Sequence, residues 1–192
     1  MKIVYILLFS LLTMFSQKND ENKIEVKIKE GSHLFIKGTS NVNKFTCNYL
    51  KPIEPQIFTL SYQDHKNGWL LDDANLSLES ASFDCGGRRI NDDFEELIQT
   101  SQFPAIRIEV FEIMPEKSNL RAKIAVSIAG VTKSLPVPVT LEKGKDVTYT
   151  SVLKLNIEDF NLDTPTKMMG LIKVNEEISI YVNLRLELSV KS

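Results

Sequence analysis

Residues 88–114, RRINDDFEELIQTSQFPAIRIEVFEIM, contain a helix-type pattern followed by a strand-type pattern. Asn91 is a suitable N-cap, because its short side chain can accept hydrogen bonds from the free amides of a first helical turn. Phe94, Leu97 and Ile98 follow at the i, i+3 and i+4 spacing of one apolar helix face. The stretch therefore predicts one short amphipathic helix whose apolar face packs on a neighbouring sheet or barrel.

Pro104 marks the change from helix to strand. Proline disfavours helical geometry in the residue before it, so the helix is predicted to end at the Phe-Pro pair. After it, Ile106, Ile108 and Val110 alternate with other residues at the period of a strand. Similar alternation recurs on either side of this stretch, most clearly over residues 178–188. The whole pattern predicts an all-β domain of about eight or nine antiparallel strands with one short helix, either a closed barrel or a sandwich.

The first residues, 1–17, predict a secretory signal peptide. They combine one lysine with an apolar run of about 13 residues, which is shorter than the roughly 20 residues needed to span a bilayer. The mature chain is therefore expected to be periplasmic or secreted and to have no transmembrane segment. Residues 18–192 are enough for a single domain with a sizeable core.

Composition and motifs argue against several functional classes. The net charge of −2 gives no electrostatic reason to expect nucleic-acid binding. The two cysteines and two histidines have no metal-ligand spacing, and a Cys-x-x-Cys pair for redox catalysis is missing from the sequence. The sequence also contains no Gly-x-Ser-x-Gly, phosphate-binding loop or zinc signature. We therefore expect a protein that is not an enzyme and that uses no cofactor or metal.

Cys47 and Cys85 are the two cysteines of the chain. In an oxidising compartment an even number of cysteines is most simply explained by a disulfide. Two buried free thiols are the alternative interpretation.

Three motifs resemble one known family. They are residues 103–108 (FPAIRI), 128–137 (IAGVTKSLPV) and 155–160 (LNIEDF). Their order and spacing over roughly residues 24–190 resemble the YceI-like family, the lipocalin-like polyisoprenoid-binding domains of bacterial envelopes. The amino-terminal half resembles a divergent branch of this family that carries the cysteine pair.

The resemblance implies an eight-stranded antiparallel lipocalin-like β-barrel with a hydrophobic tunnel for a long-chain amphiphile. A barrel of this size is either filled by its own side chains or holds one small ligand, and the residues alone leave both alternatives open. The candidates for the tunnel wall are Ile106, Ile108, Val110, Ile124, Val126, Val137, Val139, Leu153, Leu155, Ile180, Val182 and Leu184. The candidates for its mouth are Phe94, Leu97, Phe160, Met168 and Met169.

Two hypotheses for function follow. The first is a periplasmic or secreted carrier that binds an isoprenoid, a fatty acid or a lipid-like molecule inside the barrel. The second is an envelope interaction module without a ligand, which would expose an apolar patch or self-associate through an edge strand, such as the one that contains Pro136 and Pro138. The resemblance makes a homodimer compatible with either hypothesis.

Overall fold

The computed structural model describes residues 22–53, 57–143, 147–163, 166–167 and 172–190. The predicted signal peptide, residues 1–17, lies outside the described residues. In the described part, the α-helix is α1 (Arg88–Leu97) and the two short 3-10 helices are η1 (Ser80–Ser82) and η2 (Ile157–Phe160). The strands are β1 (Asn22–Ile28), β2 (His33–Thr39), β3 (Lys44–Tyr49), β4 (Ile57–His65), β5 (Gly68–Asp72), β6 (Asn75–Glu79), β7 (Phe83–Asp84), β8 (Ala105–Glu116), β9 (Asn119–Ile128), β10 (Val131–Lys143), β11 (Val147–Asn156), β12 (Thr166–Lys167), β13 (Ile172–Lys173) and β14 (Glu177–Val190).

Eight strands close into an antiparallel ring. Their order is β1-β4-β5-β8-β9-β10-β11-β14, and β14 pairs again with β1. Because the ring is closed, a strand that is paired along its whole length on both sides has no free edge. Each strand directs alternate side chains toward the interior. The prediction of an eight-stranded antiparallel, lipocalin-like barrel with one short helix is confirmed.

Two positions in the barrel wall are occupied by interrupted strands. β1 and β2 follow each other along one edge of β14, with Ile28 opposite Leu186 and His33 opposite Asn183. β5 and β6 follow each other along β8 in the same way. β4 pairs with β5 but not with β6, so the wall divides where β5 ends.

The barrel has two different ends. The turns between β4 and β5 and between β8 and β9 lie at one end, together with the Lys143–Val147 pair of β10 and β11 and the last residues of β14; we call this the hairpin end. The turn between β9 and β10, helix α1 and the disulfide between Cys47 and Cys85 lie at the other, the helix end. The prediction of a disulfide is therefore confirmed.

Helix α1 begins earlier than the sequence pattern predicted. It starts at Arg88, so Asn91 lies within it, and the prediction of Asn91 as the N-cap is wrong. The Asn91 side chain instead accepts a hydrogen bond from the Cys85 amide at 2.7 Å and donates one to Asp84 Oδ1 at 3.0 Å. These bonds stabilise the turn that precedes the helix. An asparagine side chain that bonds to such a turn is not available to cap the helix.

The carboxyl end of α1 also differs from the prediction, because Pro104 is not what ends the helix. The helix stops at Leu97. The Thr100 amide then donates to the Glu95 carbonyl at 2.9 Å, and the Gln99 amide donates to the Glu96 carbonyl at 3.1 Å. This is the Schellman arrangement, in which a left-handed residue, here Gln99, reverses the chain and satisfies the last carbonyls.

The two prolines of β10 lie where its ladder is open on one side. Pro136 and Pro138 pair with β9, whereas pairing with β11 begins only at Val139. The Pro138 carbonyl accepts a hydrogen bond from the Ser151 hydroxyl of β11 at 2.8 Å. The missing proline amides therefore fall on the side away from β9, as expected for an edge.

Candidate functional site

The residues predicted to form the tunnel pack into one apolar cluster, wherever the structure describes them. Met168 and Met169 lie outside the described residues. The buried members are Ile106, Ile108, Ile124, Val126, Val137, Leu153, Leu155, Phe160 and Ile180. The half-buried members are Phe94, Leu97, Val110, Val139, Val182 and Leu184. The difference between these two sets follows their position along the barrel.

Exposure rises along the inward face of β14 from the helix end to the hairpin end. Ile180 is 1% exposed, whereas Leu188 is 47% and Val190 is 83% exposed. The residues between them on the same face are half-buried: Val182, Leu184 and Leu186. Because residues two apart on a strand share a face, all of these side chains point toward the barrel interior.

Two other strands of the ring, β8 and β10, show the same change, whereas Val26 of β1, which pairs with Leu188, is 3% exposed. On β8, Ile106 and Ile108 are buried and Val110 is half-buried. On β10, Val137 is buried and Val139 is half-buried. Since these half-buried side chains point inward, their exposed surface borders an interior space that water can reach. We call this space the lumen, and its border includes Val110, Val139, Tyr149, Val182, Leu184 and Leu186.

Tyr149 is the aromatic residue at the border of the lumen on β11. It lies between Leu141 of β10 and Leu184 of β14 in the ladder. Burial raises the pKa of the Tyr149 phenol, which means that its hydroxyl is partly removed from bulk water. The lumen therefore combines apolar aliphatic walls with the phenol of Tyr149, which can form a hydrogen bond.

The helix end of the interior is closed. Phe160 of η2 is 2% exposed and fills this end together with the neighbouring Leu153 and Leu155. Phe94 and Leu97 pack there from α1, where the Phe94 ring lies 5.3 Å from that of Phe83. These predicted mouth residues thus lie away from the hairpin end, and their contact with a ligand stays a prediction.

A second opening lies in the side of the barrel, where the wall divides between β4 and β6. We call it the side cleft; it has a volume of about 920 Å³. Its apolar lining is formed by Ile28, Pro52, Ile53, Phe58, Leu76, Leu78, Pro104 and Ala105. Its polar and aromatic lining is formed by Tyr49, Lys51, Thr59, Asp73, Asn75, Ser77 and Glu79. This volume falls within the range of small-molecule sites.

Polar contacts bridge the side cleft at one end. Lys51 forms an ion pair with Glu79 across it, and the Glu79 amide donates to the Tyr49 hydroxyl at 3.4 Å. The hydrogen bond to Glu79 raises the pKa of Lys51. The pKa of Glu79 is lowered by its hydrogen bonds to Lys51 and Ser82. At neutral pH, Lys51 is therefore protonated and Glu79 is ionised, and each charge stabilises the other.

Sequence reasoning missed the side cleft. Leu76 and Leu78 alternate with polar residues as one face of a strand, but nothing in their alternation indicates that β4 would leave this part of the wall unpaired. A local signal exists at Asp73, which has a left-handed backbone with φ of 60° and separates β5 from β6. Aspartate tolerates this conformation better than most residues, so the Asp-Asp pair was a readable sign of an interrupted strand.

The described residues contain no group of three or more His, Cys, Asp or Glu side chains arranged to hold a metal ion. Within the same residues, no helix is both long and apolar enough to cross a membrane.

Comparisons with known proteins agree with this architecture. The sequence profile of the YceI-like domain matches residues 18–186. The structure is similar to BcnA from Burkholderia cenocepacia, with a TM-score of 0.60 and 17% identity over 83% of this chain and 96% of that one. It is also similar to a polyisoprenoid binding domain from Saccharophagus degradans, with a TM-score of 0.58 and 10% identity over 86% of this chain and 98% of that one. At these sequence identities the structural similarity shows the fold alone. No curated protein matches the chain in sequence.

Proposed function

Because this chain belongs to the YceI-like domain family, we propose that it binds a long-chain hydrophobic or amphiphilic molecule inside its barrel. An isoprenoid, a fatty acid or another lipid-like molecule has the required chemistry. The similar domain from Saccharophagus degradans is described as polyisoprenoid binding, which supports a ligand of this class. The protein is then a carrier and not an enzyme.

The observation that carries this proposal is the inward-facing apolar surface that the barrel leaves accessible. A barrel filled by its own side chains would bury Val182, Leu184 and Leu186 as completely as Ile180. Removing this apolar surface from water by placing an alkyl chain against it stabilises the complex by about 0.8 kcal/mol per buried methylene group. The lumen therefore favours a flexible apolar chain.

We also propose that the protein acts in the periplasm or outside the cell. Residues 1–17 serve as the signal peptide in this proposal, and residues 18–192 form a single domain. The disulfide between Cys47 and Cys85 supports an oxidising compartment, since such bonds persist there and are rare in reducing ones.

Native mass spectrometry of the protein purified from its own envelope tests the proposal. We expect a bound mass that is lost on denaturation, and we expect the stripped protein to take up a fluorescent fatty acyl probe. Leu184→Trp fills the lumen and should abolish uptake. Ser189→Trp places the same ring on the opposite, exposed face of β14 and should leave uptake unchanged. A bare polypeptide that takes up no probe contradicts the proposal.

An envelope interaction module remains the second candidate function. It is favoured by apolar side chains exposed at the hairpin end: Trp69, Leu70, Leu188 and Val190. In that case the native mass spectrum shows homodimers or larger complexes without a bound small molecule, and Val190→Glu disperses them. A monomer with a bound small molecule excludes it.

A further inference from the structure

The two openings of the barrel differ in polarity. At the hairpin end, the last inward-facing residues of β14, Leu188 and Val190, are exposed and apolar. The rim of the side cleft instead carries hydroxyl, amide and charged groups, while its floor reaches the inward-facing residues Ile28 and Phe58. An amphiphile inside the barrel gains most when its head lies at the polar opening and its tail extends toward the apolar one.

Ser77 provides hydrogen-bonding groups inside the side cleft. The Glu79 amide of the same strand points toward Tyr49, on the side away from β8. Backbone groups two residues apart on a strand point the same way, so the amide and carbonyl of Ser77 face the cleft. The exposed Ser77 hydroxyl lies on the outer face of β6, opposite Leu76 and Leu78, at the rim of the cleft. In the described part of the chain, none of these three groups has a hydrogen-bond partner.

The charges around the side cleft disfavour an anionic head. Its charged lining residues are Lys51, Asp73 and Glu79, so two carboxylates face one ammonium group. That ammonium group is already paired with Glu79. A phosphate or carboxylate head would meet Asp73 without a free cation among the described lining residues, whereas an uncharged oxygen can accept from or donate to Ser77.

We propose that the side cleft holds the head of the bound amphiphile and that this head is uncharged and carries a hydroxyl or carbonyl oxygen. The inference rests on the proposed function and deepens it. The tail then lies in the lumen between the cleft and the hairpin end, against Val182, Leu184 and Leu186. The interruption of the wall between β4 and β6 is, in this view, the place where the polar part of the ligand leaves the apolar interior.

Two probes with the same tail test the head. We expect the stripped protein to bind hexadecanol about tenfold more tightly than hexadecanoate at neutral pH, because the anion loses hydration and gains no cation. Glu79→Gln releases Lys51 and should raise the affinity for hexadecanoate selectively. Glu187→Gln is the matched control, since it removes the ion pair with Lys29 on another part of the surface. It should change neither affinity.

Blocking the side cleft tests the location. Ser77→Trp should weaken hexadecanol binding at least about tenfold, since it removes the space and the hydroxyl. Ser189→Trp should have no effect, and circular dichroism confirms that both variants fold. Equal binding of both probes, unchanged by Glu79→Gln and Ser77→Trp, overturns the cleft assignment and leaves the proposed function standing. If neither probe nor the fluorescent acyl probe binds, the proposed function fails and this inference fails with it.

Discussion

Gln99 follows the carboxyl end of α1 in a left-handed conformation, with φ of 55°. A side chain with a Cβ atom is strained there, and glycine is the residue that most helices use at this position. The Gln99 side chain is exposed, so its removal would eliminate few packing contacts. The strain is thus a cost of this sequence and not a requirement of the fold.

Gln99→Gly is expected to increase the free energy of unfolding by about 0.5–1 kcal/mol, because it relieves this strain at an established Schellman turn. Gln102→Gly is the control, since Gln102 lies in the same exposed turn without a positive φ. It should lower stability through backbone entropy. Urea denaturation of both variants measures the difference, and equal effects would contradict the assignment of strain to Gln99.

Tyr149 makes stability depend on pH above the neutral range. Burial raises its pKa in the folded protein, so the folded state keeps the phenolic proton at pH values where the unfolded chain loses it. This contribution is complete below the unfolded pKa of about 10 and is lost as the pH rises through the folded pKa.

Tyr149→Phe should therefore flatten the decline of stability above about pH 10. Thermal unfolding at a series of pH values, for the wild type and the variant, measures this slope. Tyr62→Phe is a comparison variant, because it removes a phenol from β4, a different strand of the barrel wall. An identical slope in the wild type and Tyr149→Phe would show that the phenol is solvated.

At the scale of secondary-structure elements, the Phe-Pro segment packs against the turn from β9 to β10. This contact brings together two of the three family motifs. Gly130 in that turn has φ of 78°, and a Cβ atom placed on it would lie 2.7 Å from the Phe103 ring. The glycine is therefore needed both for its backbone conformation and for the space that the ring occupies. This packing anchors the chain at the point where it enters β8.

Gly130→Ala is expected to destabilise the protein by about 1–3 kcal/mol, because it adds strain at positive φ and overpacks Phe103. Gly87→Ala is the matched control, since its Cβ atom would meet nothing within 4 Å and its φ is 164°. Chemical denaturation compares the two. Phe103→Leu combined with Gly130→Ala should recover part of the loss if the ring is the obstacle.

On the scale of the whole molecule, burial is unequal between the two halves of the barrel. The helix end contains the disulfide, η2 and the most completely buried side chains, among them Val126 and Ile180. The hairpin end contains half-buried interior residues around the lumen. Regions with few buried apolar contacts open locally at lower free energy than the core.

Hydrogen exchange should therefore be faster at the hairpin end than at the helix end in the stripped protein. A bound hexadecanol molecule should slow exchange at the hairpin end and stabilise the fold by about 2.7 kcal/mol at a ligand concentration of 100 times Kd. Hydrogen–deuterium exchange with mass spectrometry, at peptide resolution, measures both effects. Uniform protection that the ligand does not change would contradict an open lumen.

Much of the fold was predictable because its signals are local. Alternation along residues 178–188, a single amphipathic segment near Phe94 and short polar turns predict an antiparallel barrel or sandwich with one helix, and the family resemblance favours the barrel. The helix ends were predicted less well. Asn91 bonds to the preceding turn and Gln99 adopts an unfavourable conformation, and both outcomes depend on neighbours that a propensity argument does not include.

The sequence by itself determined the strand pattern, the cysteine pair and the three family motifs, because these depend on residue type and spacing along the chain. Tertiary structure alone decided which apolar residues are core and which border the lumen, since Ile180 and Leu184 are indistinguishable by pattern and differ only in position along the barrel. It also decided that β4 and β6 separate and that Lys51 meets Glu79 across the gap. These features arise from closure of the sheet, which brings together residues far apart in sequence.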